Sequence, residues 1–244
     1  MKINEIYNRD CCEGMEEMVR DGIKVDLILT DPPYLLKNES GIIKKERTSE
    51  VNARMQRKKS ELSFIANDFD YNRVFEMFLR LQDSANMLIF CSNAQLSRTM
   101  RYFEDLGFSV TCLVWNKINP IPTCNNKYLN DIEFIVYVRG KNTRMNTSDT
   151  PYDYKRKVFT SGVVQDKDKF HPTQKNVEHL YRLIMLHCKE GGLVFDPFMG
   201  SGSTAIAAIS AKRDFLGFEL NTEYYNKSLD RIARYRYSFG NKFF

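Results

Sequence analysis

Apolar positions along the chain fall into two alternating patterns: short runs that are continuous or occupy every second residue, and longer stretches with a spacing of three to four residues. The short runs predict β-strands over residues 2–7, 25–30, 86–91, 108–115, 131–138, 193–195 and 214–219. The longer stretches predict helices directly after the first strand and over residues 71–81, 94–106, 176–190, 203–212 and 221–236. Strands that alternate with helices are typical of the α/β class, in which a mostly parallel sheet is covered by helices on both faces.

Length and composition indicate a globular protein. The chain has 244 residues, of which 43% are hydrophobic and 27% charged, so we expect one domain over 1–244 and exclude a disordered chain. No apolar run approaches the roughly 20 residues that span a bilayer, and the first residues do not resemble a secretory leader. The six cysteines are scattered without metal-ligand spacing, so we expect free thiols, no metal site, no membrane partner and a cytoplasmic location.

The net charge of +5 is concentrated in two segments. Residues 35–60 carry eight Lys or Arg against three Glu, and residues 139–175 carry nine against four Asp. Both segments have little periodicity. We therefore expect a mobile basic loop over 35–68 and a second basic insert over 139–170, which in isolation would be solvated loops.

A glycine-containing turn, Asp196-Pro-Phe-Met-Gly-Ser-Gly202, follows the predicted strand at 193–195. Gly200 and Gly202 let the backbone pass close to a ligand, and the helix that follows offers N–H groups and a partial positive charge at its start. Glu219 ends the next predicted strand, nineteen residues after Gly200, where an α/β sheet places the carboxylate that binds ribose hydroxyls. The turn is neither Gly-x-Gly-x-x-Gly nor a P-loop, which favours an adenosyl ligand with a small carboxylate.

A rigid turn, Asp31-Pro32-Pro33-Tyr34, ends the predicted strand at 25–30. The prolines cannot continue the ladder, and they fix the directions of the Asp31 carboxylate and of a backbone carbonyl. Two such acceptors suit an exocyclic amino group, and Tyr34 offers a flat face on which a base can stack. A strand-ending turn with an exposed tyrosine explains the tetrapeptide almost equally well, so the motif alone leaves both interpretations open.

Three motifs together resemble the signatures of the amino-group DNA methyltransferases that use S-adenosylmethionine. They are Asp31–Tyr34, His171-Pro-Thr-Gln-Lys175 and Asp196–Gly202, in the order typical of β-type members. The resemblance runs from about residue 3 to residue 235, and it implies a Rossmann-like fold in the permuted methyltransferase order with basic loop insertions. The sequence departs from the family pattern at Asn176, where a proline is usual, and at Ser203, where a threonine is common.

The resemblance implies roles for individual residues. The catalytic tetrapeptide would consist of Asp31, Pro32, Pro33 and Tyr34. The residues implied to hold the cofactor, S-adenosylmethionine, are Asp10, Cys11, Asp31, Thr173, Gln174, Lys175, Asp196, Phe198, Gly200, Ser201, Gly202, Ser203, Thr204 and Glu219. Within this set, Glu219 would bind the ribose and Lys175 the methionine carboxylate.

The resemblance also implies a site-specific enzyme that acts on double-stranded DNA, with the target base flipped out of the duplex and the insert over 139–170 recognising the target sequence. Asp31 and the Pro32 carbonyl would hold the amino hydrogens while Tyr34 stacks on the base. The residues expected to contact the base or the DNA are Tyr34, Trp115, Lys117, Lys44, Lys45, Arg54, Lys58, Lys59 and Arg156. Two interpretations of Trp115 are equally well supported: a buried anchor at a strand end, or part of the wall of the base pocket.

Several alternatives stay open at this point. The leading Asp31 favours the N6 amino group of adenine, although N4 of cytosine shares the chemistry, and RNA or a protein amide is a lesser alternative. A nicotinamide-dependent oxidoreductase and a non-catalytic nucleic-acid-binding module would be different classes. The sequence does not decide whether two copies form a homodimer or whether a cognate restriction enzyme accompanies the chain.

Overall fold

The computed structural model describes residues 1–33, 69–120, 128–148, 150–162, 170–171 and 174–240. The strands in these ranges form one sheet and are β1 Glu5–Tyr7, β2 Leu27–Thr30, β3 Asn86–Cys91, β4 Ser109–Lys117, β5 Ile132–Arg139, β6 Val158–Ser161, β7 Leu193–Asp196 and β8 Asp214–Phe218. The helices are α1 Cys11–Arg20, α2 Tyr71–Arg80, α3 Asn93–Asp105, α4 Val177–His187, α5 Ser203–Ser210 and α6 Thr222–Gly240, with a 3₁₀ turn at Tyr152–Lys155.

The sheet has the strand order β1-β8-β7-β2-β3-β5-β4-β6. Of the strand pairings in the described ranges, only those of β5 with β3 and with β4 are antiparallel. The remaining neighbours pair in parallel, as β2 does with both β7 and β3. The predicted α/β class, Rossmann-like with a mostly parallel sheet, is therefore confirmed.

The central strand β2 shows why helices cover both faces. Leu27 and Leu29 are fully buried and join a cluster with residues of α4 and α5. Ile28, which lies between them, joins a second cluster with residues of α1, α2 and α3. Because successive strand residues point to opposite faces, a continuous apolar run is what a strand covered on both sides requires.

Most predicted elements are found with their ends shifted by a few residues, and the strand at 86–91 has the predicted bounds. The prediction of an irregular insert over 139–170 is wrong in part, because this segment contains β6 and the 3₁₀ turn. β6 extends the sheet by pairing in parallel with β4, from Val114 opposite Val158 to Lys117 opposite Ser161. Its four residues contain one buried apolar side chain, Phe159, which is too little for a periodic signal. The basic loop predicted over 35–68 lies outside the described residues.

The described cysteines, which are Cys11, Cys12, Cys91, Cys112 and Cys188, are free thiols as predicted. Cys124 lies outside the described residues. Within the described ranges, every helix is too short or too polar to cross a membrane.

Candidate active site

The candidate site lies between the carboxyl ends of β2 and β7, which are neighbours in the middle of the sheet. The chain leaves β2 toward β3 on one side and β7 toward β8 on the other, so the following loops diverge and leave a crevice. Thr30 Oγ1 donates a hydrogen bond of 2.7 Å across this crevice to Asp196 Oδ1. Thr204 Oγ1, in the first turn of α5, donates to Asp196 Oδ2 at 2.6 Å. The Asp196 carboxylate thus joins two strands and a helix.

Asp196 is only 3% exposed. Burial raises its pKa to about 6, even though the hydrogen bonds from Thr204, Thr30 and the Phe198 amide favour the charged form. Desolvation of a carboxylate therefore outweighs its hydrogen bonds at this position.

The glycine turn connects β7 to α5 in a conformation that requires glycine. Gly200 and Gly202 have φ angles of 52° and 75°, in the left-handed region where a side chain is strained. The Gly200 amide donates to Glu219 Oε2 at 2.8 Å, and the Asn221 amide donates to Glu219 Oε1 at 2.8 Å. Burial raises the pKa of Glu219. The predicted ribose-binding carboxylate is thus fixed directly beside the turn.

Arg231 of α6 holds the same turn from the other side, and the sequence analysis did not identify it. Its Nη1 donates to the Ser201 carbonyl at 2.9 Å and to Ser203 Oγ at 2.9 Å. Ser203 Oγ in turn donates to the Lys175 carbonyl at 3.1 Å. In the sequence, Arg231 is one of many charged residues in an amphipathic helix, so nothing marks it before the helix is placed.

Asp31, directly after β2, is one end of a chain of alternating charges. Lys175 Nζ lies 2.9 Å from Asp31 Oδ2 and 2.8 Å from Glu133 Oε2. Lys117 Nζ lies 2.9 Å from Glu133 Oε1. The two lysines are 8% and 9% exposed, and their ammonium groups also lie 4.7 and 5.2 Å from the ring centroids of Phe90 and Trp115. We call Asp31, Lys175, Glu133 and Lys117 the charge chain.

Charge pairing outweighs burial in setting the pKa values of Glu133 and Lys175. Burial alone would raise the pKa of Glu133, but Lys175 and Lys117 outweigh it and hold this pKa below its ordinary value. Burial alone would lower the pKa of Lys175, but Asp31 and Glu133 hold it above its ordinary value. Glu133 and Lys175 are therefore ionised and neutralise each other.

The proline turn after Asp31 is held by two buried residues that the sequence analysis did not assign to the site. The Pro33 carbonyl accepts hydrogen bonds from the Tyr71 hydroxyl and from Gln95 Nε2, the latter at 3.2 Å. Gln95 Oε1 accepts from the Ser92 hydroxyl at 2.6 Å, which fixes the amide. Burial raises the pKa of Tyr71 to about 12, so its hydroxyl stays a donor. A lone buried Tyr or Gln carries no sequence signal for such a contact.

Four further predicted cofactor residues, Asp10, Cys11, Phe198 and Gln174, lie in the described part of the chain. Asp10 caps α1 by accepting from the Cys12 amide at 2.8 Å, and Cys11 is buried beneath that cap. The ring centroids of Phe198 and Phe69 are 5.4 Å apart. Gln174 is 5% exposed, and neither Nε2 nor Oε1 of its amide has a hydrogen-bond partner among the described residues.

The predicted DNA-contacting residues are only partly brought to this site. Trp115 is 4% exposed and donates from Nε1 to Ser161 Oγ at 3.0 Å, which favours the interpretation as a strand-end anchor. Lys117 belongs to the charge chain, whereas Arg156 is exposed beside the 3₁₀ turn. The predicted site residues outside the described part of the chain are Tyr34, Lys44, Lys45, Arg54, Lys58, Lys59 and Thr173.

The fold and the site together define a Rossmann-like protein with a nucleotide-type turn and a charge-paired carboxylate at the same edge of the sheet. Residues 25–230 match the family model N6_N4_Mtase, described as DNA methylase, and the chain belongs to this family. The predicted resemblance to the amino-group DNA methyltransferases is therefore confirmed.

Individual relatives agree with this assignment. The chain is 26% identical over 242 residues to the type II methyltransferase M2.MboI of Moraxella bovis, covering 93% of this chain and 86% of that protein. It is 24% identical to the type II methyltransferase M.HinfI of Haemophilus influenzae, covering 94% and 68%. The solved M1.HpyAVI–SAM complex is 27% identical, with a TM-score of 0.66 over 93% of this chain and 98% of that one, which confirms the predicted cofactor at the level of the family. The fold is also that of the cytosine-N4-specific PvuII DNA methyltransferase, at 15% identity and a TM-score of 0.63 over 92% and 84%.

Proposed function

We propose that this protein transfers a methyl group from S-adenosylmethionine to the N6 amino group of adenine in double-stranded DNA. The proposal rests on the Asp31 carboxylate, whose Oδ2 lies 2.9 Å from Lys175 Nζ at the carboxyl edge of the sheet. Asp31 follows β2, and Glu219, which accepts from the glycine turn, follows β8. Only β7 lies between these two strands in the described sheet. Adenine is favoured over cytosine because the tetrapeptide begins with Asp31, which resembles the adenine-specific members.

The proposed chemistry needs an acceptor that strengthens as the target nitrogen becomes positive. When bound, S-adenosylmethionine would supply an electrophilic methyl group with its thioether as the leaving group, and the methylated nitrogen would then lose one proton. Asp31 and the Pro32 carbonyl accept hydrogen bonds from the amino group, and the negative carboxylate stabilises the positive charge that develops on nitrogen. The rigid turn, anchored at the Pro33 carbonyl by Tyr71 and Gln95, keeps both acceptors oriented without reorganisation.

In this proposal the charge chain tunes Asp31. Lys175 holds the carboxylate in place, and Glu133 offsets part of the positive charge of Lys175, so that Asp31 keeps its strength as an acceptor. The role of Lys175 toward the cofactor carboxylate stays a prediction, because within the described residues its ammonium group lies between Asp31 and Glu133.

The residues of the crevice fit S-adenosylmethionine. Gln174 carries a buried donor and a buried acceptor that no described residue satisfies, and a buried amide of this kind suits a ligand end with both an ammonium and a carboxylate. Glu219, beside the turn, would accept from the ribose hydroxyls, and the half-buried Phe198 would pack against the adenine. Asp10, Cys11 and the turn residues Ser201 to Thr204 complete the proposed pocket.

The proposed DNA contacts come from the two basic segments, with Lys44, Lys45, Arg54, Lys58 and Lys59 in the first. These lysines and Arg54 of the first segment would contact phosphates and position the duplex. Arg156 of the second segment lies just before β6, at the edge of the sheet opposite Asp31, so it is a weaker candidate for a DNA contact. A second copy of the chain and a cognate restriction enzyme are proposed partners, the latter because the relatives M2.MboI and M.HinfI are type II methyltransferases.

The deciding experiment is transfer of labelled methyl groups from S-adenosylmethionine to unmethylated DNA, followed by digestion to nucleosides. The proposal predicts N6-methyladenine. N4-methylcytosine would refute the choice of base and keep the reaction, whereas no incorporation into DNA would refute the reaction. Binding of NAD but not of S-adenosylmethionine in calorimetry would indicate the oxidoreductase class.

Asp31→Asn tests the role of the carboxylate, because it keeps the shape and removes the charge. We expect turnover to fall by about 100-fold or more, the scale of losing a preorganised electrostatic contact. Asp21→Asn, at the exposed C-terminal cap of α1, is a matched control that should leave turnover unchanged. An Asp31→Asn variant that binds the cofactor and turns over normally would contradict the mechanism.

A further inference from the structure

A cavity of about 180 Å³ opens at the edge of the sheet opposite the candidate active site. It lies among the start of β4, the end of β5, the residues around the 3₁₀ turn and the last turns of α4. Ser109 and Asn86, the first residues of β4 and β3, both pair with Arg139, the last residue of β5. Asp31, in contrast, follows the carboxyl end of β2, which runs parallel to β3. The cavity is therefore separate from the methyl-transfer site.

Two buried polar groups that line this cavity have no hydrogen-bond partner among the described residues. Tyr137 and His187 are 4% and 5% exposed, and their rings lie 4.3 Å apart. Neither the Tyr137 hydroxyl nor His187 Nδ1 has a hydrogen-bond partner among the described residues. Buried polar groups are nearly always satisfied, so two orphaned groups lining one cavity indicate a ligand or water that satisfies both.

The ionisation of these groups defines what they offer. Burial raises the pKa of Tyr137 to about 12, so its hydroxyl is a neutral donor at physiological pH. Burial lowers the pKa of His187 to about 3, so its imidazole is neutral as well. The interior of the cavity is thus polar but uncharged, with apolar walls formed by Leu113, Leu183 and Leu186.

The rim of the cavity is strongly basic. Arg139, Lys155, Arg156 and Lys157 all line it and are exposed, and none of the described residues that line it is Asp or Glu. Four cations without a carboxylate favour an anionic group at the mouth. A cavity of roughly 150 Å³ is known to hold a benzene ring, so the volume here accommodates one ring and a substituent.

We propose that this cavity is a second binding site, which takes a small organic anion with a single-ring apolar body and a carboxylate or phosphate group. The ring lies between Leu113, Leu183 and Leu186. A polar ring substituent or the near edge of the anionic group accepts from the Tyr137 hydroxyl, and a second polar atom of the ligand or a water beside it pairs with His187 Nδ1. The anionic charge lies at the rim near Arg156 and Lys157.

The test uses phenyl phosphate and benzoate as probes, with benzyl alcohol as the neutral comparison. The reporter is the methyl group of Met145, which lines the cavity and is observed by NMR in protein labelled at the methionine methyls, with Met145→Leu for assignment. We expect a saturable shift of the Met145 signal with the anions and a much weaker one with the alcohol. The relative affinities of phenyl phosphate and benzoate show whether the site prefers a phosphate or a carboxylate as the anionic group of its ligand.

Two variants separate the contributions of rim and interior. Arg156→Gln combined with Lys157→Gln should weaken anion binding by about tenfold or more, since charge-assisted contacts are lost. The control, Arg101→Gln combined with Lys212→Gln, removes the same charge from exposed positions elsewhere and should not weaken binding. Tyr137→Phe removes only the orphaned hydroxyl, so it should fold normally and weaken binding by several-fold.

Three results would overturn the proposal. They are no saturable shift of the Met145 signal with either anion, equal affinity for benzyl alcohol and the anions, and equal affinity in the rim variant and its control. The first would indicate a cavity that holds only water, and the second an apolar cavity without charge selectivity. The third would indicate binding elsewhere.

Discussion

Removal of the Glu133 charge is the perturbation that most directly tests how the charge chain serves Asp31. The carboxylate oxygens of Glu133 and Asp31 lie 2.8 and 2.9 Å from the same Lys175 nitrogen, so these oxygens are at most about 5.7 Å apart. At an effective dielectric constant of about 20, a unit charge at that distance contributes ~3 kcal/mol. Glu133→Gln removes this contribution and leaves Lys175 to act on Asp31 alone.

The expected result is a weaker acceptor at Asp31. If about half of the ~3 kcal/mol reaches the transition state, kcat falls about tenfold. The acid limb of the kcat profile moves to lower pH, by about two pH units, because removing the Glu133 charge makes the Asp31 carboxylate harder to protonate. The assay is single-turnover methyl transfer to DNA measured across pH, with circular dichroism to verify that the variant is folded.

Two further variants make the test specific. Glu133→Asp keeps the charge and should keep the native pH profile. Glu133→Gln combined with Lys117→Met removes one charge of each sign, so it should restore part of the profile if electrostatics, and not packing, is responsible. Native kcat and an unmoved acid limb in folded Glu133→Gln would refute the proposed role.

Individual contacts lead to three more predictions. Asp196→Asn should change the pH dependence of the free energy of unfolding. Because burial raises the pKa of Asp196 in the folded protein to about 6, folding takes up a proton between about pH 4 and pH 6. The native protein therefore loses ~3 kcal/mol of stability as the pH rises through this range, and the variant does not. Denaturant unfolding of both proteins across this range measures it, and a stability difference that is independent of pH would contradict it. Arg231→Gln should raise the KM for S-adenosylmethionine several-fold with kcat little changed, because it frees the glycine turn; an equal loss in kcat would show a different role. Neutralising Lys58 and Lys59 should weaken DNA binding and reduce the slope of log affinity against log salt by about 2, and an unchanged slope would remove these lysines from the interface.

The sequence by itself determined the fold class and the position of the site along the chain. Continuous apolar runs such as Leu27-Ile28-Leu29 predict strands buried on both faces, and the turns at Asp31 and Asp196 lie directly after such runs. Parallel strands bring their carboxyl ends to one edge, so both turns lie at that edge, and the strand order found in the structure makes them neighbours. Gly200 and Gly202 are also predictable, because a close backbone turn with positive φ selects glycine.

Only the tertiary structure decided which polar side chains pair with one another. Glu133 and Arg231 are ordinary charged residues in the sequence, and Lys117 was predicted only as a DNA contact. The pairing of Glu133 with both lysines, and of Arg231 with the glycine turn, depends on how β4, β5 and α6 pack. The strand β6 was missed because its pairing with β4 is a long-range contact with little local signal. Hydrophobic periodicity is a local pattern that can be recognised in the sequence alone, whereas charge pairing depends on distances of a few ångströms between residues far apart in the chain.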